Sequence, residues 1–294
     1  MTFRRVFQQP ARERSLHPIL IKFGSFHVPT YGVLLVLGIL AAMYSVTRLG
    51  RQQGFEPGRL FDLSTWLIVV GLLGAKVLMI LTEWSYYRDN PGEILSWATL
   101  QSGGVFYGGF IAAVVFDVWY LRVYRLPFWR TTDVLAPAVA LGQSVGRLGC
   151  FAAGCDYGKP TSSFLGVVFS NPLSHQVTGV PLNIPIHPAQ LYESLATLAI
   201  FGILLWRFQR KAFDGEIFFI YIGLYAVARF FIEFLRGDED RGFVFNHLLS
   251  TSQFIAILGM IATAFLAWHH RFRHRESATA VPPLTDPAAK RARN

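Results

Sequence analysis

The chain has 294 residues, 52% of them hydrophobic and only 15% charged. Soluble domains carry about 25% charged residues, so these proportions exclude an ordinary pair of soluble domains and point to lipid as the solvent. The net charge of +9 does not argue for nucleic acid, because the basic residues lie between apolar segments rather than in one patch. Two cysteines exclude a disulfide framework and leave open one bridge or two free thiols.

A membrane helix needs about 20 mostly apolar residues. Hydropathy predicts seven, at roughly 28–48, 61–83, 105–123, 132–149, 188–206, 216–235 and 248–268. Residues 1–27 read as an N-terminal arm, marked by Pro18. The first span is too long for the apolar part of a signal peptide and is expected to be retained. Asp133, after Thr131 and Thr132, reads as the N-cap of the fourth span. Residues 149–187 form the longest loop and read as a small head, with turns at Asn171-Pro172, Thr178-Gly179 and Pro185 and a short strand in "FLGVVFS". Residues 270–294 form a basic, then Pro- and Ala-rich tail, expected to be disordered. The fold class is an all-α integral membrane protein, with residues 28–269 as its seven-helix membrane domain.

Orientation follows the Lys and Arg of the loops. Arg48, Arg51 and Arg59, then Arg122, Arg125 and Arg130, then Arg207, Arg210 and Lys211 share a side with the basic tail. The alternate loops hold Arg88, Lys159, Arg236 and Arg241. This bias places the tail in the cytoplasm and the N-terminus outside. The arm dissents, with Arg4, Arg5, Arg12, Arg14 and Lys22.

Ionisable residues inside a span cost about 2.5–3.5 kcal/mol each at a helix centre and usually face the bundle interior. "YAVARFFIEFLRGDED" carries Tyr225, Arg229, Glu233 and Arg236 at i, i+4, i+8 and i+11, within about 80° of arc on one continuous helix. One reading is an internal ion-pair ladder, Arg229–Glu233–Arg236. The other counts a positive surplus, increased by Arg147 near the end of the fourth span. Such a surplus wants an anion, and a lipid phosphate suits the planar guanidinium fork. Lys76 and Asp117 read as a buried pair joining the second and third spans.

In "QSGGVFYGGFIAA", glycines including Gly108 and Gly109 flank Tyr107. They serve either close helix packing or room for a lipid headgroup beside the Tyr107 hydroxyl. "HPAQLYE" opens the fifth span with His187 and Glu193 as cavity walls or helix-end anchors. "GRLGCFAAGCDYG" sets Arg147 beside Cys150, Cys155 and Asp156. The thiols are open to three roles: a bridge, which their spacing allows only outside a regular helix, small polar fillers, or a weak metal pair. No nearby histidine completes a metal site, which favours the first two.

Together "HVPTYGVLLVLGI" with Tyr31, "SGGVFYGGF", "GRLGCFAAGCDYG", "HPAQLYE" and "YAVARFFIEFLRGD" resemble the prolipoprotein diacylglyceryl transferases, over residues 17–270. The third segment is similar to that family's signature G-R-x-G-N-F-x-N-x-E-x-x-G. The resemblance implies a bacterial inner-membrane enzyme, its N-terminus periplasmic and its C-terminus cytoplasmic. It would transfer the diacylglyceryl group from phosphatidylglycerol to the lipobox cysteine thiol of a prolipoprotein. A thioether forms and glycerol phosphate leaves, without a cofactor or metal and without nucleic acid.

The resemblance also implies roles. Arg147 and Arg229 hold the lipid phosphate and stabilise the departing charge, Glu233 and Arg236 orient them, and Tyr225 and Tyr31 line the lipid site. Asp156 and His187 join the substrate-binding residues. The family often has His at the position of Tyr107, where it has been proposed as the base, and an unperturbed tyrosine, with pKa near 10, is a poor base at neutral pH. Cys150 stands at the signature's Asn and Cys155 at its Glu, with Asp156 one residue on to supply the carboxylate. The alternative is a diverged paralogue or membrane carrier that binds an anionic lipid without thiol transfer. Inverted repeats, common in carriers, are not visible between the halves.

Overall fold

Seven helices long and apolar enough to cross a membrane dominate the computed structural model, which describes residues 18–23, 26–96, 99, 103–238, 242–244 and 248–279. In chain order the helices are α1 (Thr30–Gln52), α2 (Pro57–Thr82), the short α3 (Trp84–Asp89), α4 (Phe106–Val123), α5 (Phe128–Ala153), the short α6 (Pro172–Thr178), α7 (Ala189–Phe208), α8 (Glu216–Ile232) and α9 (Thr251–Thr279). All but α3 and α6 are the crossing helices, so each expected span has its helix. Three two-stranded antiparallel pieces accompany them. These are β1 (Ile19–Phe23) with β2 (Phe26–Pro29), β3 (Val167–Val168) with β4 (Pro185–Ile186), and β5 (Phe243–Val244) with β6 (Leu249–Ser250).

Several local expectations give way. The fourth span begins at Phe128, directly after Pro127, so Asp133 lies inside α5 rather than at its N-cap. The Thr131 and Thr132 hydroxyls donate to the Pro127 and Trp129 carbonyls at 2.9 and 3.0 Å, the back-bonding of threonines already within a helix. The arm contains the β1–β2 hairpin from Ile19. Its Arg4, Arg5, Arg12 and Arg14 lie outside the described residues, as do Arg241 and residues 280–294. The expected disordered tail begins as helix, since α9 continues to Thr279.

The chain divides into two compact units, residues 40–138 and residues 1–39 with 139–294. In the first, α2 and α4 pack antiparallel through glycines. A Cβ on Gly109 would stand 2.7 Å from the Gly71 carbonyl oxygen. One on Gly108 would collide with the Gly74 backbone and Leu78, and one on Gly104 would reach Ala75 at 2.8 Å. Without side chains at these positions the helix backbones approach closely, which is how helices associate in lipid, where no hydrophobic drive separates helix from solvent. Only 6% of the apolar window of α2 is buried in the protein, so most of its Leu and Val surface faces outward.

The expected Lys76–Asp117 pair does not form. Lys76 Nζ donates to the Thr99 carbonyl and, at 3.2 Å, to that of Gly103, level with the start of α4, where Val105 N–H bonds Ala75. Asp117 lies further along α4 beside Phe116, whose ring is 6.5 Å from Trp66. Ten residues of helix separate the Lys76 and Trp66 levels of α2, about 15 Å.

In the second unit, residues 154–188 fold as a small head with its own apolar core of Phe169, Val180 and Ile186, against which Phe151, Tyr157, Val167 and Leu182 pack. The strand expected in "FLGVVFS" is reduced to β3. Asn171-Pro172 and Thr178-Gly179 bound α6 rather than forming separate turns. The Asn171 side chain accepts from Leu173 N–H at 3.0 Å, and Gly179 ends the helix at φ +71°.

Candidate active site

Helices α5, α7 and α8, with the segments that follow α5 and α8, bring three arginines and four carboxylates into one alternating row. Glu233 Oε2 lies 2.9 Å from Arg229 Nη2, and Arg229 Nη1 lies 3.2 Å from Glu193 Oε2. The other oxygen of Glu193 meets Arg147 Nη2 at 3.1 Å. Arg147 Nη1 then reaches Asp156 Oδ2 at 2.5 Å, and Asp156 Oδ1 meets Arg236 Nη2 at 2.7 Å. Asp238 closes the row on Arg236. The Tyr225 hydroxyl donates to Glu193 at 3.1 Å, and Arg229 donates to Ser252 Oγ at 3.2 Å.

The row is most exposed at its middle, at Arg147 and Asp156, and more buried towards Glu233 on one side and Arg236 on the other. The Glu233 and Glu193 side chains are 1% and 5% exposed, Arg147 22% and Asp156 31%. An incoming anion therefore meets Arg147 and Asp156 first. Stripping water from these charges is costly and is offset only where each one is paired. The positive surplus counted from sequence is absent, because Glu193, Asp156 and Asp238 join the row.

The single helical face expected from Tyr225 to Arg236 also ends early. Helix α8 stops at Ile232, Glu233–Leu235 form a 3-10 turn, and Arg236 is extended with φ −72° and ψ 141°. The i to i+4 pair Arg229–Glu233 forms, while Arg236 turns to Asp156 and Asp238. Backbone pairing causes the departure: Lys159 N–H bonds Leu235 O at 2.8 Å and Gly237 N–H bonds Tyr157 O at 3.0 Å. Here glycine is required, because a Cβ on Gly237 would stand 2.7 Å from the Gly158 carbonyl oxygen and one on Gly158 would collide with the His187 backbone.

Asp156 reaches both arginines through a chain reversal. Gly154 at φ +94° ends α5, and Asp156 itself adopts φ +56°, a left-handed conformation that Asp tolerates better than most residues. Burial acts to raise the Asp156 carboxyl, but Arg147, Arg236 and Arg229 outweigh it and hold it below the ordinary carboxylate range. The Cys155 thiol is pushed up, first by its hydrogen bond to Cys150 and then by burial. The ligand atoms of Cys150, Cys155 and Asp156 lie within 4.8 Å of one another, a possible set of metal donors, although both Asp156 oxygens already meet arginines.

A family model described as prolipoprotein diacylglyceryl transferase matches residues 18–269. The chain is 36% identical over 259 residues to the phosphatidylglycerol–prolipoprotein diacylglyceryl transferase of Clostridium tetani, covering 88% of this chain and 99% of that one. It is 34% identical to the transferase 2 of Clostridium perfringens, over 84% and 93% of the two chains. To the transferase of Lactiplantibacillus plantarum it is 31% identical, over 89% and 93%.

The chain belongs to the prolipoprotein diacylglyceryl transferase family.

This transferase family is one of multi-pass bacterial membrane proteins, and the seven apolar helices agree with it. Of the residues expected at a transferase site, Arg147, Arg229, Arg236, Glu233, Tyr225 and Asp156 meet in the ionic row. Tyr31 sits at the edge of the same helix group, where a Cβ on Gly149 would touch its ring at 3.1 Å. His187 stands beside Gly158, its Nδ1 3.3 Å from the Tyr192 hydroxyl. Tyr107 lies in the other unit, in the first turn of α4 and half-exposed. Gly108 and Gly109 have a packing role there, against α2.

The sequence leaves the role of Glu193 open between a cavity wall and an anchor, and the structure makes it the centre of the row, joining two arginines and a tyrosine. Its signal was a carboxylate in the second turn of a membrane helix, a position lipid does not tolerate unpaired. Tyr221, stacked on Tyr225 at 6.0 Å and donating to Gln143 Oε1 at 2.7 Å, was also unread. So was Gln190, whose Nε2 donates to the Cys155 carbonyl at 2.6 Å.

Proposed function

We propose that this protein transfers the diacylglyceryl group of phosphatidylglycerol to the lipobox cysteine of prolipoproteins, with the row from Glu233 to Asp156 as its phosphate-handling site. The name shared by relatives that match nearly end to end supports the reaction. The observation that carries the site is the sharing of Glu193 between Arg147 and Arg229.

The chemistry fits the geometry. The acceptor sulfur forms a bond to the glycerol carbon of the diacylglyceryl group while the bond from that carbon to the phosphate oxygen breaks. The thiol proton is lost, a thioether remains, and glycerol phosphate leaves with an added negative charge. Fixed guanidiniums aimed at that developing charge lower the barrier. Arg147 and Arg229 bind the phosphate, and Glu193 and Glu233 hold their forks in place. Arg236 acts through Asp156, the most exposed carboxylate of the row and the one that yields Arg147 to the lipid. Tyr225 and Tyr31 line the lipid site, with His187 at its border. Tyr107 takes the position at which the family often has His, and we assign its hydroxyl to the acceptor thiol.

We place the protein in the bacterial inner membrane, with its N-terminus periplasmic and its C-terminus cytoplasmic. The bias of Lys and Arg toward Arg48–Arg59, Arg122–Arg130 and Arg207–Lys211 supports this. The head at residues 154–188 then faces the compartment where prolipoproteins emerge.

The test is a purified assay in detergent with phosphatidylglycerol and a synthetic lipobox peptide, read by mass spectrometry, with Arg147→Ala in parallel. A diacylglyceryl increment on the peptide cysteine that vanishes with the variant is the expected result. Lipid binding by wild type without any product would instead make the chain a lipid-binding relative. Tyr107→Phe and Tyr107→His then test the hydroxyl: we expect at least a tenfold loss with Phe and retention with His. Full activity with Phe would remove Tyr107 from the reaction.

A further inference from the structure

The two thiols are unassigned by the reaction above. The turn after α5 brings them together. Gly154 reverses the chain, and its N–H closes on the Cys150 carbonyl at 2.8 Å. Cys155 folds back over the same turn, its Sγ donating to the Cys150 carbonyl oxygen at 3.7 Å. The two sulfurs lie within 4.8 Å. In a regular helix, residues five apart point to different faces, so it is this reversal that allows a bridge. Both cysteines are free and partly exposed, within reach of a reagent.

We propose that Cys150 and Cys155 are a redox pair that closes to a disulfide by exchange with a disulfide-bearing donor. Cys150 attacks first, with Arg147 Nη1 3.9 Å from its sulfur and so placed to stabilise a thiolate. It displaces one thiolate from R–S–S–R and forms a mixed disulfide. Cys155 then attacks the Cys150 sulfur and expels the second thiolate. The two protons of the pair end on two R–SH, the donor gains two electrons, and the pair loses two. Cys155 keeps its proton until the charge on Cys150 has passed into the mixed disulfide.

A metal on the same residues is less well served. It would need the Asp156 oxygens that Arg147 and Arg236 hold, and it would face both guanidiniums. The disulfide instead pins the reversal that carries Asp156 between them. On the transferase reading it also removes a free thiol, the kind of group the enzyme alkylates, from beside Arg147.

The experiment treats the full-length protein in detergent with oxidised glutathione, with and without reductant or chelator. Alkylation with N-ethylmaleimide and peptide mass spectrometry follow. After oxidised glutathione we expect neither cysteine to take label until reductant is added, and the peptide holding both to lose two hydrogens. Cys155→Ser stops at one glutathione on Cys150. Two alkylated thiols after oxidised glutathione, or protection that a chelator rather than a reductant removes, would overturn the proposal. A Cys155→Ser protein left unmodified would overturn the attacking role of Cys150. None of these readouts measures diacylglyceryl transfer, so failure here is distinct from failure of the transferase reading.

Discussion

Arg147 and Arg229 are joined through the two oxygens of one carboxylate, that of Glu193, at 3.1 and 3.2 Å. Neither arginine is positioned by its own helix alone: α7 sets the spacing between a residue of α5 and a residue of α8. Removing Glu193 takes the shared partner from two part-buried guanidiniums and leaves Arg147 with Asp156 alone and Arg229 with Glu233. Breaking a buried pair costs about 3–5 kcal/mol, so Glu193→Ala is expected to lower the unfolding midpoint in detergent strongly. Glu193→Gln keeps the shape and one acceptor and should fold, with transfer reduced by about 10²-fold. Wild-type rates for Glu193→Gln would mean that the shared carboxylate does not position the arginines.

Arg147→Lys retains the charge but cannot serve Asp156 and Glu193 at once as the planar fork does. We expect a loss of about 10²-fold in kcat/KM in the peptide assay. A variant within twofold of wild type would show that charge alone is needed at this position.

The depressed Asp156 carboxyl has a definite pH signature. Its folded pKa lies below its unfolded value, so the folded state binds the proton less well than the unfolded state. Its contribution to stability is present above the unfolded value, about 3.9, and is lost as pH falls through the lower folded value. Thermal unfolding of wild type and Asp156→Asn should therefore differ by a constant amount from pH 7 to about 5, and the difference should shrink below about 4. A difference that grew on acidification would contradict the assignment.

Gly108→Ala separates helix packing from headgroup space. A Cβ there collides with the Gly74 backbone and Leu78, and overpacking of this kind costs about 1–3 kcal/mol. We expect a lower unfolding midpoint and unchanged phosphatidylglycerol affinity in the folded fraction. Weakened lipid binding at unchanged stability would give the glycine to the ligand instead.

The membrane helices were legible because hydropathy is a local property: runs such as that of α2 declare themselves without knowledge of neighbours. Their ends were less legible. The Tyr225–Arg236 spacing continues the helical period past Ile232, where backbone pairing of residues 235–237 with 157–159 overrides it. Asp133 looked like a cap because it precedes an apolar run, while Pro127 had already started the helix. Lys76 and Asp117 were paired on charge alone, although helix rise keeps them apart. At the site, Arg147, Arg229 and Glu233 could be read from their cost in lipid. The central position of Glu193 could not, since it exists only when three helices distant in sequence converge.

The alternating row also constrains the order in which its members can be replaced over generations. Losing an inner acid takes one of two partners from each neighbouring base, and losing a base does the same to its acids, so a path through sequence space is easier when a substitute arrives before the original partner goes. Asp156 stands one place along from the signature's Glu, on a turn that presents it to Arg147 and Arg236 together. A relocated carboxylate of this kind is what such a path would leave behind, with position 155 released for another use.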